Sequence, residues 1–477
     1  MMKNRMLLLL LAAQLAALSA CGGDAPSVET TLPEDTAAPE TTSFYDTLNI
    51  PDFAGETFTI LCRTNLLDEI YAESENGDVV NDAVYRRNTT VADQLNIDLK
   101  VVDVAGDWLN KDGFVNYVTA GIMAGDDAFQ LIAGYMNYMP VTISQNLYLD
   151  ITTLPHVNLD NAWWTKGFND NVSINGKMYM AMGDLCSTVL RYAYCIYANV
   201  NIMEDFGYKT AELYQLVNDG KWTFDAMCGF AKNVCVDLDG NGTMEPAADR
   251  YGIGMHYMPI RALTNAFAID FTGRDAEGLP EIAVWGDRFV TAFEKVNAGC
   301  NSEWWTTDSS YLRFMSDQLM FFADVLGTTS AMRDMTSNFA VVPMPKFDEK
   351  QENYRTEASD TTSVLLVPTT VQNTELAGLV LECMNYESWK HVTPAYFETA
   401  MQGKYARDEE SQAMMNLIRD TLYFDFGYVY AGAIGGGFNR LMQNAMDSPN
   451  AASLWDSGKA AWETSLKNVI AFFREEE

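Results

Sequence analysis

Between residues 57 and 133 the apolar pattern changes period four times, and that alternation constrains the fold more than any other feature of the chain. Phe58, Ile60 and Cys62 share one face of a strand over Thr57 to Cys62, with the two-residue period of a half-buried strand. Residues 80–95 then carry Val80, Val84, Val91 and Leu95 on one helical stripe. Ile97, Leu99 and Val101 return to alternation, with Asp98 and Lys100 opposite. A second helical segment, Phe114 to Met123, leads into the apolar run Phe129–Ala133, bounded by Asp127 and Gly134. Strand, helix, strand, helix, strand predicts an α/β architecture with a parallel sheet, because parallel neighbours need crossovers and the helices cover the sheet face. Further strand candidates are Met178 to Met182, Tyr194 to Tyr197, Phe339 to Pro343 and Val364 to Val367. Thr223 is placed to cap a helix, with Asp225 in its first turn and Trp222 stapled onto Met227, so Trp222 is read as structural. The last helix carries Trp455, Trp462, Leu466, Val469 and Phe473 on the stripe that docks.

The N-terminus has another character. Lys3 and Arg5 precede an apolar run, Met6 to Ala20, that closes on Leu18-Ser-Ala-Cys21. A charged start, a short apolar segment and small residues before a cut site read as a secretory signal over residues 1–20, too short for the roughly 20 residues of a membrane helix. The ending looks like a bacterial lipobox, which makes Cys21 the lipid anchor. Residues 21–52 are rich in Gly, Ser, Thr, Pro and acid, and no Lys or Arg stands between Arg5 and Arg63. Such a stretch buries too little to fold and is expected to be a disordered acidic tether.

The roughly 425 residues beyond it exceed one ordinary core, so two lobes are expected. The formal charge of −34 repels phosphate backbones and anionic lipid surfaces, which argues against a nucleic-acid partner. Apart from Cys21, seven cysteines remain with no CxxC pair, and they are expected to be buried thiols. Among the three histidines no paired metal spacing occurs, and there is no GxSxG elbow and no P-loop around Gly435-Gly-Gly437. No catalytic constellation is nominated and no cofactor is expected. With 65 acids, some carboxylate pair fits any glycosidase spacing, so that signal decides nothing.

One local motif is sharp. Asp237, Asp239 and Asn241 followed by Gly242 match the first half of an EF-hand calcium loop. Ala248 stands where the bidentate Glu belongs. A structural calcium could use Asp237, Asp239, Asn241, the Thr243 carbonyl and Glu245 or Asp249; the alternative is a solvated turn. The aromatic content suits stacking on sugar rings, and the doublets Trp163-Trp164 and Trp304-Trp305 are each expected to leave one ring exposed.

From residue 53 onward the order of segments resembles a bacterial extracellular solute-binding protein of the carbohydrate-importer class. The pieces that carry the likeness are Gly55-Glu-Thr-Phe-Thr-Ile60, Phe129-Gln-Leu-Ile with Leu147-Tyr-Leu-Asp-Ile151, and Ile174-Asn-Gly-Lys-Met-Tyr179 before Ile196-Tyr-Ala-Asn199. Trp222-Thr-Phe-Asp225, Asp249-Arg-Tyr-Gly252 and Phe339-Ala-Val-Val-Pro-Met-Pro-Lys346 complete them.

The resemblance implies a two-lobe periplasmic-binding-protein-like fold of type II, with parallel-type sheets flanked by helices and an interlobe cleft. Lobe 1 would be residues 53–186 plus 348–385, and lobe 2 residues 187–347 plus 386–477. It implies a non-enzymatic, monomeric receptor, outside the cytoplasm and held to the cell membrane by lipid alone, that delivers a carbohydrate, an oligosaccharide in the first instance, to ABC transporter permeases. Ligands of open sheets sit beyond the strand carboxyl ends, which nominates Arg63, Asn65, Tyr135, Asn137, Asp184, His256, Tyr257 and Asp324. Ala323-Asp-Val-Leu stands where the family carries a tryptophan, which argues against a maltodextrin ligand. A glycan-hydrolysing surface lipoprotein and a ligand-sensing or adhesion lipoprotein remain as alternatives.

Overall fold

A computed structural model of the chain describes residues 43–401 and 409–474. The signal segment, Cys21 and most of the tether lie outside the described residues. Within the expected tether, Tyr45–Thr47 form one 3-10 turn, and the compact body begins at Leu48. Its start is pinned: Asp52 Oδ1 accepts from Asn96 Nδ2 at 2.6 Å and from the Ala54 amide. The compact body therefore starts a few residues before residue 53, the start that composition suggests.

The first sheet has the order β11-β3-β1-β2, from β1 (Glu56–Arg63), β2 (Ile97–Val104), β3 (Leu131–Tyr135) and β11 (Ser363–Leu366). β1 runs parallel to β2 and β3, with Ile60 opposite both Val101 and Leu131. β11 returns antiparallel, Ser363 opposite Tyr135. The second sheet has the order β10-β4-β9-β5-β8. Its strands are β4 (Tyr194–Asn199), β5 (Tyr251–Gly254), β8 (Trp305–Thr306), β9 (Leu319–Val325) and β10 (Phe339–Pro343). β4 is antiparallel to both neighbours, while β5 is parallel to β8 and β9. A small hairpin joins β6 (Thr272–Arg274) and β7 (Pro280–Ile282). Both large sheets are thus mixed where parallel pairing was expected: β11 returns to the first sheet only after all of the second has been made, and β4, the first strand of the second sheet, runs against both of its neighbours.

The predicted helices form α1 (Val79–Leu95), α2 (Lys111–Met123) and α3 (Phe224–Ala231). Asp78 caps α1 by accepting from the Val80 and Asn81 amides, and Thr223 caps α3 through the Ala226 amide. Trp222 is fully buried and donates Nε1–H to the Pro343 carbonyl at 2.9 Å, confirming a structural ring. Next come α4 (Tyr257–Ala266), α5 (Asp287–Cys300) and α6 (Thr374–Glu387). α7 (Thr393–Met401), α8 (Glu409–Asp420) and α9 (Ala451–Arg474) follow. Trp455, Trp462, Leu466 and Phe473 of α9 are buried. Val392 and Ala395 pack with Val84 of α1, so the chain stays with the first sheet beyond residue 385.

Met178 to Met182 is buried except for half-buried Tyr179 but is not a strand; only Ala181 bridges, to Leu365 of β11. The thiols are free among the described residues, five of them buried and Cys235 and Cys300 half-buried. Trp163 and Trp164 are both buried, against expectation. The reason is Glu382, whose carboxylate accepts both indole N–H groups at 3.0 Å, along with Asn161 Nδ2 and the Asn158 amide. A buried carboxylate with four donors lets adjacent rings turn toward one polar centre.

Among the described residues, the crossing before β4 and the crossing before β11 pair with each other. Tyr194 N–H donates to Glu357 O at 2.9 Å and Ser359 N–H to Tyr192 O at 2.8 Å. Antiparallel crossings bonded side by side form a natural hinge.

Candidate ligand site between the two sheets

Arg63 ends β1, and its buried guanidinium lies 4.5 Å from the ring centroid of Tyr135, the last residue of β3. Arg63 Nη2 donates to Thr361 O at 2.8 Å and Ser363 Oγ at 3.1 Å, on the second crossing. Asn137 Nδ2 donates to Asp360 Oδ2 at 2.7 Å. From the other sheet, Arg261 of α4 reaches the same oxygen with Nη1 at 2.9 Å. Its Nη2 donates to the Tyr428 hydroxyl at 3.2 Å, and its Nε stands 3.7 Å from Glu357 Oε1. Asp360 is therefore shared by a group from each sheet.

The contact between the two sides is close: a Cβ added at Gly432 would lie 2.7 Å from the Asn137 carbonyl oxygen. Glu357 is buried, and neither of its oxygens accepts a hydrogen bond of good geometry among the described residues; the nearby Tyr428 hydroxyl donates to Ala358 O instead. Burial pushes the Glu357 carboxyl up to about 7, against the pull of Arg261. Nε and Nη1 of Arg63 likewise have no described partner. Unpaired polar atoms in a dry site are costly, and a polar ligand can satisfy them.

Glu69, just beyond β1, ties the hinge. Its Oε1 accepts from Thr188 N and Oγ1 on the first crossing, and its Oε2 accepts from Ser363 Oγ on the second.

The structure brings Arg63, Tyr135 and Asn137 together. On the second sheet His256 caps α4 through the Met258 amide, with its ring 5.5 Å from that of Tyr257, which is 51% exposed. Burial lowers the His256 pKa, and the Asp324 carboxylate opposes that shift. Burial raises the Asp324 carboxyl in turn. Asn65 is exposed in a 3-10 turn, with no contact to this cluster described. Asp184 lies elsewhere: Thr393 Oγ1 donates to its Oδ2, and it lines a separate cavity with Trp164 and Trp389. A further cavity of about 240 Å³ lies between the turn after β1 (Asp68), the first crossing (Arg191) and the loop after β9 (Gly327, Arg333).

Sequence reasoning missed Glu69, Arg261, Glu357, Asp360 and Tyr428. Arg261 carried a readable signal, a lone cation inside the otherwise uncharged stretch Met258 to Ile269.

In the acidic loop Asp237, Asp239 and Asp249 each place a carboxylate oxygen within 4.8 Å of one another. Asp237 accepts from the Gly240 and Gly242 amides and Asp249 from Leu238 and Glu245 amides, while Asn241 Oδ1 accepts from Thr243 N. Thus the Glu245 backbone supports Asp249, whose carboxylate takes the place in the group that sequence left open between the two.

No family model and no curated protein sequence matches the chain. Solved structures do. UspC of M. tuberculosis is 12% identical with a TM-score of 0.56, covering 86% of this chain and 100% of its own. Lmo0181 of Listeria monocytogenes, an ABC substrate-binding protein in complex with cycloalternan, is 11% identical with a TM-score of 0.52, covering 88% and 100%. An ABC transporter solute-binding protein of Thermotoga lettingae bound with α-D-tagatose is 12% identical with a TM-score of 0.52, covering 87% and 100%. The Listeria and Thermotoga proteins are by name ABC substrate- or solute-binding proteins with a bound sugar, the likeness spans most of the chain, and the chain has the two-lobe α/β fold.

Proposed function

We propose that the chain is an extracytoplasmic receptor that closes on a carbohydrate and delivers it to the permeases of an ABC importer. The observation that carries this reading is the convergence of Asn137 and Arg261, from opposite lobes, on Asp360 of the hinge. Guanidinium donors, carboxylate acceptors and tyrosine rings within one cleft suit hydroxyls and sugar faces. The sugars named with the Listeria and Thermotoga proteins support the ligand class.

The same reading makes the protein a non-enzymatic monomer, anchored to the cell membrane through Cys21 after loss of residues 1–20. Among the described residues no helix is long and apolar enough to cross a membrane, which is compatible with a lipid anchor. Lobe 1 is residues 53–186 plus 348–385, extended to about 395 by the packing of Ala395 on α1, and lobe 2 is the remainder. The carboxylates of Asp237, Asp239 and Asp249 form the core of a calcium site, with Asn241, the Thr243 carbonyl and Glu245 as further ligands.

A thermal-shift screen of mono- and oligosaccharides tests the function. A ligand at a hundredfold excess over its Kd raises stability by about 2.7 kcal/mol, and scattering with that sugar should show a smaller radius of gyration. Arg261→Ala and Tyr257→Ala should weaken the response. Hydrolysis of the bound sugar, or no response to any sugar, would remove the receptor reading. A melt unchanged by chelator, in wild type and in Asp237→Ala alike, would remove the calcium site. Cys21→Ala should release the protein from membranes.

A further inference from the structure

The helical run Thr374 to Met401 is interrupted by a π turn, Ser388–Val392. Its cause is in the sequence. Pro394 has no N–H for the Lys390 carbonyl and its ring crowds that carbonyl, so regular α-helix cannot continue through it. Such turns redirect side chains and recur at functional positions. Here the turn leaves Trp389 42% exposed, 6.0 Å from the Trp163 ring, and brings Thr393 onto Asp184.

Trp389 and Asp184 line a cavity of about 870 Å³ whose opposite wall is the face of α8 bearing Gln412, Asn416 and Arg419. The buried face of α8, with Met414, Met415 and Ile418, packs the other way. None of Arg63, Tyr135, Asn137, Arg261 and Asp360 lines this cavity. Its charged lining is balanced, Asp184 and Asp420 against Lys390 and Arg419. Arg419 Nε is already bonded to Asp420 at 2.7 Å. A net-neutral wall favours neither anion nor cation. Amides that both donate and accept, a carboxylate acceptor and a half-exposed indole match a neutral polyhydroxylated ring.

The geometry points to a second saccharide-binding site in this cavity, with the sugar ring on Trp389 and its hydroxyls on Asp184, Gln412 and Asn416. It is separate from the cleft of the proposed function and goes beyond that reading. Burial pushes the Asp184 carboxyl up to about 6, so it is an ionised acceptor at neutral pH and a donor below that.

Calorimetric titration of the full chain with glucose, maltose and cellobiose tests the site. At least one sugar should bind Tyr257→Ala, whose lesion is in the other cleft, and Trp389→Ala and Asp184→Asn should each weaken that binding at least tenfold. Trp389 is half exposed and Asp184→Asn is isosteric, so both variants should melt like the wild type. The signature of the second site is quenching of tryptophan fluorescence that disappears in Trp389→Ala. Binding that Trp389→Ala and Asp184→Asn leave intact, or no binding of these sugars to Tyr257→Ala, overturns it. Loss of all binding in Tyr257→Ala would leave the first cleft standing and remove only this one.

Discussion

Ser363 Oγ donates to Glu69 Oε2 at 2.5 Å across 294 residues of sequence. The other oxygen of Glu69 holds Thr188, so one carboxylate fastens both crossings to the end of β1. Lobe closure must pivot about that carboxylate or break its bonds.

Glu69→Gln therefore is expected to loosen the hinge. The amide keeps one acceptor oxygen, while its NH2 faces a site where Thr188 or Ser363 donates. A buried donor left facing a donor costs about 1–3 kcal/mol. Denaturant unfolding should show that loss, and scattering of the sugar-free variant should show a wider spread of interlobe distances than the wild type.

Glu357 gives a pH dependence of known sign. The folded protein holds this proton to about pH 7, whereas its ordinary value is 4.5. Between those values the folded state binds more protons, so stability from this group is full below 4.5 and is lost as pH rises through 7. Glu357→Gln removes that loss and should gain on the order of 2 kcal/mol relative to wild type between pH 5 and pH 8. Asp425, also raised by burial to about 7, titrates in both proteins. Parallel melts of the two proteins at both pH values, with no divergence, would refute the assignment.

Gly432→Val should wedge the cleft open. Its side chain meets the Asn137 carbonyl and Val141, which belong to the opposite side. Sugar affinity should fall at least tenfold, with a larger radius of gyration at saturating ligand and a small change in melting temperature. Wild-type affinity would show that these backbones separate freely.

Glu382→Gln tests the indole anchor. A single amide oxygen cannot accept from Trp163, Trp164 and Asn161 as the carboxylate does. The near-UV dichroism of the tryptophans should change, and stability should fall by about 1–3 kcal/mol.

Local periodicity made the strands legible. Phe339–Pro343 was read with the bounds it has, and Tyr194 with only its last two residues short. Met178–Met182 misled because apolar runs look alike whether they enter a ladder or only touch it, and a single bridge at Ala181 leaves no period. Arg63, Tyr135 and Asn137 were found by the rule that sites follow strand ends. Asp360 and Glu357 were not, since they lie on a crossing before a strand and their roles depend on partners about a hundred or more residues away. Asp184 was assigned to the cleft from sequence position alone, and a crossing has two sides. Trp163 and Trp164 defeated the expectation of one exposed ring because Glu382, remote in sequence, supplies the buried polar partner.

β11 also sets an order of assembly. Every strand of the second sheet comes from one continuous stretch, Tyr194 to Pro343, but the first sheet lacks β11 until Ser363–Leu366 has been made. Until then β3 presents an unpaired, wholly buried-type edge, Leu131–Tyr135, to whatever strand is near. A nascent or truncated chain ending before residue 363 is thus an aggregation hazard by construction, and the sheet begun first is the one completed last.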